Sequence, residues 1–371
     1  MEVLGSIATG VGRVTLWTLV ILGAISSAGQ PILAQGKPLP KARLVVATGS
    51  LGVTYPEFTL PLTLGYWKQE GYDVDVQPGG GSLQAIQQMV GGNSEFAAGS
   101  GNAMIQFNEK NDLPIRIVYN YGVTDWSIAV DADGPIKTVN DLKGKTIGVF
   151  SLATGGVGLL NALLRENGME PKDVELLPVG FGPAPVQALR SGKVQGLLYW
   201  GGGIATFENA GLKLRKIVGK DWESYPDYSL VTMQGTADKN PDMIVAIARG
   251  SAKAELFAMT NPTCAVKLHW AHYPSDRPAG DEAAAMNKDL HSLEAQLDSL
   301  RKAQQQYGHG KLWGRFDPSA WASLSKFMLE AKQIDKPFDA TKLELRIPNL
   351  YEKISDFDAD SVKKSAMECK M

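Results

Sequence analysis

The chain has 371 residues, 44% of them hydrophobic and 20% charged, which is ordinary globular composition and enough length for about two domains. Its 37 basic and 39 acidic side chains leave a formal net charge of −2, so there is no electrostatic pull toward nucleic acid or an anionic membrane surface. No block of like charges, low-complexity tract or short repeat stands out.

The first element is the apolar run "VTLWTLVILGAI", Val14 to Ile25, preceded by Arg13. It is too short to span a bilayer core of about 30 Å. A basic residue, a short apolar core and the small residues after it predict a secretory leader over residues 1–34, cut after Ala28 or Ala34. A buried N-terminal helix is the alternative. No cysteine lies in the residues directly after the run, so no lipid anchor is expected, and no later stretch reads as a membrane span.

"ARLVVAT" predicts a strand, "YPEFTLPLTLGYWKQEGY" a helix ending at Gly71, and "DVDVQP" an alternating strand. "LQAIQQMV" predicts a helix, "EFAAGS" a strand, "NAMIQFNEK" a helix and "PIRIVYNYG" a strand. This β-α-β-α rhythm implies a parallel sheet flanked by helices. It restarts at "WSIAVDA" and runs through "TIGVFS", the helix "TGGVGLLNALLRENGM", "VELLPVG", the helix "PAPVQALRSG" and the strand "VQGLLYW". "YSLVTMQG" reads as a strand returning to the first lobe, and the remainder of the chain is mostly helical. The fold class expected is α/β, with two similar lobes, each a sheet flanked by helices, and a ligand cleft between them at a hinge. Residues 42–126 form the first part of lobe 1, 127–226 lobe 2 and 227–365 the second part of lobe 1, with crossings near 125–130 and 224–230.

In open α/β sheets, ligands bind outside the carboxyl ends of the strands. Those ends carry glycine with Ser82, Ser100, Asn102 or Thr154, and then helix starts whose free N–H groups can meet a small polar or anionic group. Any one such turn is explained by helix capping alone; several at equivalent places in two lobes point to a cleft. Tyr55, Tyr121, Trp126, Phe150, Phe181, Tyr199 and Trp200 fall at or just after strand ends, where they can plug the core or stack a π-bearing solute. Glu57 and Asp125 lie near the same edge and favour an N–H-bearing ligand.

Enzyme chemistry finds little to stand on. There is no G-x-x-x-x-G-K-[ST], no G-x-G-x-x-G and no G-x-S-x-G, so no nucleotide cofactor and no catalytic residue is expected. His269 and His272 form an i, i+3 pair without a third ligand, so no metal is expected. Cys264 and Cys369 could pair in an oxidising compartment, while the polar tail around Cys369 suits two free thiols equally well.

The stretches "GYWKQEGYDVDV", "GGGSLQAIQQMVGGNSEFA", "VNDLKGKTIGV", "LLRENGMEPKDVELLPV", "VQALRSGKVQGLLYW" and "QIDKPFD" resemble the periplasmic solute-binding proteins of ABC importers, in the group covering alkanesulfonate, taurine, nitrate and thiamine-pyrimidine binding proteins. The resemblance covers most of residues 43–340. It implies a periplasmic, monomeric, non-catalytic receptor that closes on a small-molecule ligand and hands it to a permease and its ATPase at the inner membrane. Carried over by position, the ligand-lining residues fall on Ser50, Leu51, Tyr55, Gly80, Gly81, Ser82, Ser100, Asn102, Tyr121, Ser151, Thr154, Gly155, Phe181, Tyr199 and Trp200. An enzyme on the same fold and a receptor module presenting its ligand to a membrane sensor are the competing readings. The segment from Ala279 to Leu312 is longer than the family pattern, and the sequence assigns it no role.

Overall fold

The computed structural model describes residues 38–369. The expected leader, residues 1–34, lies outside the described residues. The first lobe opens with β1 (Lys41–Val46), α1 (Pro56–Thr63), α2 (Tyr66–Gln69), β2 (Asp73–Pro78), α3 (Ser82–Val90), β3 (Phe96–Gly99), α4 (Gly101–Asn111) and β4 (Ile115–Asn120). The second contains β5 (Ser127–Asp131), β6 (Thr146–Val149), α5 (Gly156–Glu166), β7 (Glu175–Pro178), α6 (Pro183–Arg190), β8 (Gly196–Tyr199), α7 (Gly201–Asn209) and β9 (Leu214–Ile217). The chain returns with β10 (Ser229–Met233). It then continues through α8 (Gln234–Lys239), α9 (Pro241–Thr260), α10 (Pro262–His272), α11 (Glu282–Gln306), α12 (Pro318–Glu330), α13 (Leu350–Ser355) and α14 (Ala359–Glu368).

Two five-stranded sheets result, ordered β2-β1-β3-β10-β4 and β7-β6-β8-β5-β9. Both are mixed, unlike the all-parallel sheets that the sequence suggested. β10 runs antiparallel to β3 and β4, and β5 runs antiparallel to β8 and β9. β9 was not foreseen at all. The helix expected over "YPEFTLPLTLGYWKQEGY" breaks into α1 and α2 at Gly65, whose φ of 69° is a left-handed turn that glycine tolerates.

Alternation along the strands builds a core on each face of the first sheet. Ala42, Leu44 and Val46 of β1 join a cluster with Phe58 of α1 and Ile244, Ile247 and Phe257 of α9. Val45 points the other way, to Ile86 of α3, Met104 of α4 and Trp321 of α12. That second cluster runs on without a break into the other lobe, through Trp126 and Trp200 to Leu197 and Leu160.

The long helix α11 occupies the segment that the sequence left without a role. Its Leu293, Leu297 and Leu300 are buried with α9 and α10, while Asn209 at the end of α7 donates to Lys288 O at 2.6 Å and Ser292 Oγ at 3.0 Å. Further along, Ser299 Oγ accepts from Val123 N at 3.1 Å and donates to Val123 O at 2.9 Å, on the first crossing between lobes. Tyr307, just past the helix, donates to Ser224 O at 3.1 Å beside the second crossing. α11 therefore touches both lobes and both crossings.

The cysteines are paired. Cys264 of α10 and Cys369, one residue beyond α14, form a disulfide across 105 positions, which decides between the pairing and the two free thiols that the sequence left open.

These contacts make two measurable demands. Cys369→Ser should cost about 2–4 kcal/mol of stability, read as a lower urea midpoint that matches reduced wild type; equal midpoints with and without reductant would mean that the pair does not form. Ser299→Ala strands both backbone groups of Val123 and should cost about 1–3 kcal/mol. An unchanged midpoint would dissociate α11 from the crossing.

Candidate functional site

The strand ends do converge. Ser82 opens α3, Ser100 caps α4, Thr154 precedes α5, and Trp200 sits at the N-cap of α7. Between them lies a cavity of about 30 Å³, lined by Tyr55, Ser82, Ser100, Tyr121, Thr154 and Trp200 among the expected residues, and also by Glu57, Trp126, Tyr228 and Gln296. At about 10–15 Å³ per water, it has room for two or three molecules, so a larger solute enters only when the lobes part.

Trp200 organises the aromatic wall. Phe181 stacks on it at 5.6 Å, Trp126 and Phe150 meet it edge-on at 5.9 and 6.4 Å, and Tyr55 tilts toward it at 6.5 Å. On the opposite side, Tyr121 stacks against Tyr228 at 6.0 Å and stands edge-on to Phe58 at 5.4 Å. The cavity is a box of π faces and ring edges.

The other expected residues lie around the box. Asn102 Nδ2 donates to Gly155 O at 2.7 Å, and a Cβ on Gly155 would stand 2.3 Å from Ser100 Cβ and Oγ. A Cβ on Gly81 would stand 2.6 Å from Ala153 O and 2.9 Å from Ser151 Oγ. Asn102, Gly155, Gly81 and Ser151 thus form the seam where the two walls touch, and glycine is what lets them approach. Tyr199 lies beneath Trp200 and donates its hydroxyl to Gly180 O. Ser50 and Phe181 line an outer groove of about 950 Å³, which shares Tyr55 with the inner cavity. Gly80 faces a separate surface depression beside Gln84, and Leu51 packs against the first-lobe core.

Charge is distributed unusually. Glu57 is fully buried, both carboxylate oxygens lack a hydrogen-bond partner, and no lysine, arginine or histidine among the described residues lines the cavity. Loss of hydration outweighs its own backbone N–H in the first turn of α1 and pushes its carboxyl up to about 8. Behind it, Glu255 of α9 is raised well above the usual carboxylate range, first by burial and then by the charge of Glu57. Asp125 and Asp227 sit at the two crossings, raised by burial to about 6 and about 7. Each of these two has partners: Asp125 accepts from Gly201 N at 3.0 Å and from the Tyr228 hydroxyl, and Asp227 from Gly101 N and Trp126 Nε1, both at 2.9 Å.

Sequence reasoning placed Glu57, Asp125 and Trp126 near the site without assigning them to it, and it missed Tyr228 and Gln296. Tyr228 did leave a signal: "DWSIAV" from Asp125 and "DYSLVT" from Asp227 share a D-aromatic-Ser start, a short repeat that was overlooked. Gln296 left none, because its place depends on where α11 docks.

The family described as NMT1/THI5 like matches residues 59–265. A riboflavin-binding protein, RibY of Chloroflexus aurantiacus, is 22% identical over 312 residues, covering 81% of this chain and 86% of that protein. The periplasmic aliphatic sulphonate binding protein SsuA of Escherichia coli superposes with a TM-score of 0.58 at 15% identity, covering 83% of this chain and 93% of the other. The alkanesulfonate-binding protein SsuA of Xanthomonas axonopodis pv. citri, bound to MOPS, gives 0.60 at 12% identity over 83% and 98%. The chain belongs to the NMT1/THI5-like family and has the two-lobed fold of the solute-binding proteins of ABC importers.

Proposed function

We propose that this protein is an extracytoplasmic receptor that captures a small organic solute between its lobes and delivers it to an ABC permease and its ATPase. The reading places it in the periplasm as a monomer without a lipid anchor, and the Cys264–Cys369 disulfide supports an oxidising compartment. The solute we infer is a flat, heteroaromatic or amine-bearing molecule that presents N–H donors. One observation carries this choice: Glu57 reaches an aromatic box with two unpartnered oxygens and no facing cation. A buried carboxylate in that state is costly until something donates to it. Once Glu57 is ionised, above about pH 8, a sulfonate placed there would face a second negative group.

A second reading, an enzyme on this fold, draws on the same groups, because carboxyls raised toward neutrality in a cleft are what proton-transfer chemistry requires. One experiment separates the two. Thermal denaturation is followed in the presence of millimolar aminopyrimidines, flavins, aryl amines, alkyl and aryl sulfonates and nitrate, and every hit is then recovered for mass spectrometry. A ligand at 100 times its dissociation constant stabilises by about 2.7 kcal/mol. Recovery of the unchanged compound supports the receptor, whereas a transformed compound supports the enzyme. Stabilisation by sulfonates alone would sink the donor-bearing solute.

Two predictions concern Glu57. Glu57→Gln should weaken the best N–H-bearing hit by about 30–100-fold, since the charge-assisted bond is lost and the amide nitrogen is left facing the donor; unchanged affinity would remove Glu57 from recognition. The second is a pH profile. A cationic solute needs the carboxylate, so below about 8 it must displace a proton, and affinity should fall by up to tenfold per pH unit on acidification. The same raised value gives the ligand-free protein the opposite trend. The folded state holds the proton that the unfolded chain releases near 4.5, so stability from this group is complete in acid and declines as pH rises toward 8. Glu57→Gln should flatten both slopes, as read by titration calorimetry and denaturation across pH 5–9.

A further inference from the structure

We propose that Asp125 and Asp227 are positioning residues that act as a reciprocal clasp, each holding the wall helix of its own lobe to an aromatic ring carried by the opposite crossing. The two sites are related position by position. "DWS" leads into β5 and "DYS" into β10. Ser127 pairs with Tyr199, the last residue of β8, and Ser229 pairs with Gly99, the last residue of β3, both antiparallel. Two residues beyond each of those partners begins a wall helix, α7 at Gly201 and α4 at Gly101. The aspartate two residues before each serine takes that helix's first amide: Asp125 from Gly201 at 3.0 Å, Asp227 from Gly101 at 2.9 Å. A Cβ on Gly201 would stand 2.7 Å from the Asp125 carboxylate, so this approach needs glycine.

The remaining oxygen of each carboxylate crosses over. Asp125 accepts from the hydroxyl of Tyr228, which enters the first lobe's β10, and Asp227 accepts from Trp126 Nε1, which enters the second lobe's β5. Tyr228 and Trp126 both line the solute cavity. Each ring is therefore held at one end by the hinge and contributes to the lining of the cavity. A solute that presses on these rings acts on the bonds joining the lobes, and those bonds in turn fix the rings at the spacing of the closed box. A carboxylate is required because two acceptor oxygens must be offered at once; an amide offers one. Simple helix capping would engage only the Gly101 and Gly201 amides and leave the crossed bonds idle.

The test needs no solute, so it stands apart from the identity of the ligand. Spin labels are placed at the exposed Asn93 of the first lobe and Lys193 of the second, and the distance distribution between them is measured in the otherwise intact protein. Tyr228→Phe and Asp125→Asn should each shift the distribution toward the open lobes by about tenfold in population, as expected for a bond to a charged acceptor. The pair combined should shift it no further than Asp125→Asn alone. Trp126→Phe with Asp227→Asn should behave in the same way. Aspartate variants that only lower the melting temperature, with Tyr228→Phe and Trp126→Phe leaving the distances unchanged, would reduce the carboxylates to helix caps and overturn the clasp.

Discussion

The lobes face each other because the chain crosses between them twice, and the two crossings lie side by side. Val123 and Pro226 form an antiparallel bridge, Thr124 N donates to Tyr225 O at 3.0 Å, and Asp227 N donates to Gly122 O at 2.9 Å. Tyr121 N adds a bond to Tyr228 O at 2.8 Å. This short ribbon satisfies its own backbone groups in a place with little water, as buried backbone must. It also delivers Asp125, Trp126, Asp227 and Tyr228 to one point. The strand ends of both sheets, the two wall helices and the cavity are all arranged around it. Because each crossing continues into a strand at an inner position of its sheet, any rotation of one lobe is transmitted to the strand carrying that lobe's ligand wall.

Stability alone gives no reason to gather four buried acidic groups in one region. Asp125 and Asp227 recover part of their lost hydration from N–H and O–H donors, which is why burial raises them only to about 6 and about 7, against about 8 for Glu57. Glu57 has nothing comparable in the closed protein. An apolar residue of similar size would line the cavity without that penalty. Retaining an unsatisfied carboxyl inside an otherwise aromatic box makes physical sense when its partner arrives with the solute. The same reasoning covers the walls of the proposed site: rings meeting at tilted and edge-on angles would offer stacking to a flat guest, and Ser82, Ser100 and Thr154 line the same cavity with hydroxyls.

How far the sequence reveals this depends on the range of the interactions. Ser82, Ser100, Thr154, Tyr55 and Trp200 were legible as cavity neighbours because a strand end and a helix start are local events, and ligands meet such sheets at one edge. Gly81, Asn102, Ser151 and Gly155 stand at the same strand ends but lie in the seam, and only the closed geometry separates wall from seam. Strand direction was not legible in β5 or β10: the alternation of apolar residues is the same for either direction, and a rhythm of strands and helices suggests parallel neighbours. Cys369 looked like part of a fraying tail because its anchor lies 105 positions away. Gln296 was beyond reach for the same reason. A buried glutamine on a helix acquires meaning only once the helix has a partner.

The contacts of that helix give a structural role to a segment that the sequence left without one. A two-stranded hinge by itself resists bending weakly, because each crossing is only a few residues wide. α11 lies across it like a splint. Its apolar side is fixed in the first lobe by Leu293, Leu297 and Leu300, its N-terminal half holds the end of α7 through Asn209, and its C-terminal half grips Val123 through Ser299. Gln296, in the turn before Ser299, lines the cavity, so one rigid element spans solute wall, hinge and second lobe. Motion that opens the cleft must either slide α7 along α11 or bend both together. Either motion works against a packed interface, since Ser292 is fully buried where Asn209 meets it and the glycine start of α7 lies against Ala295 and Gln296.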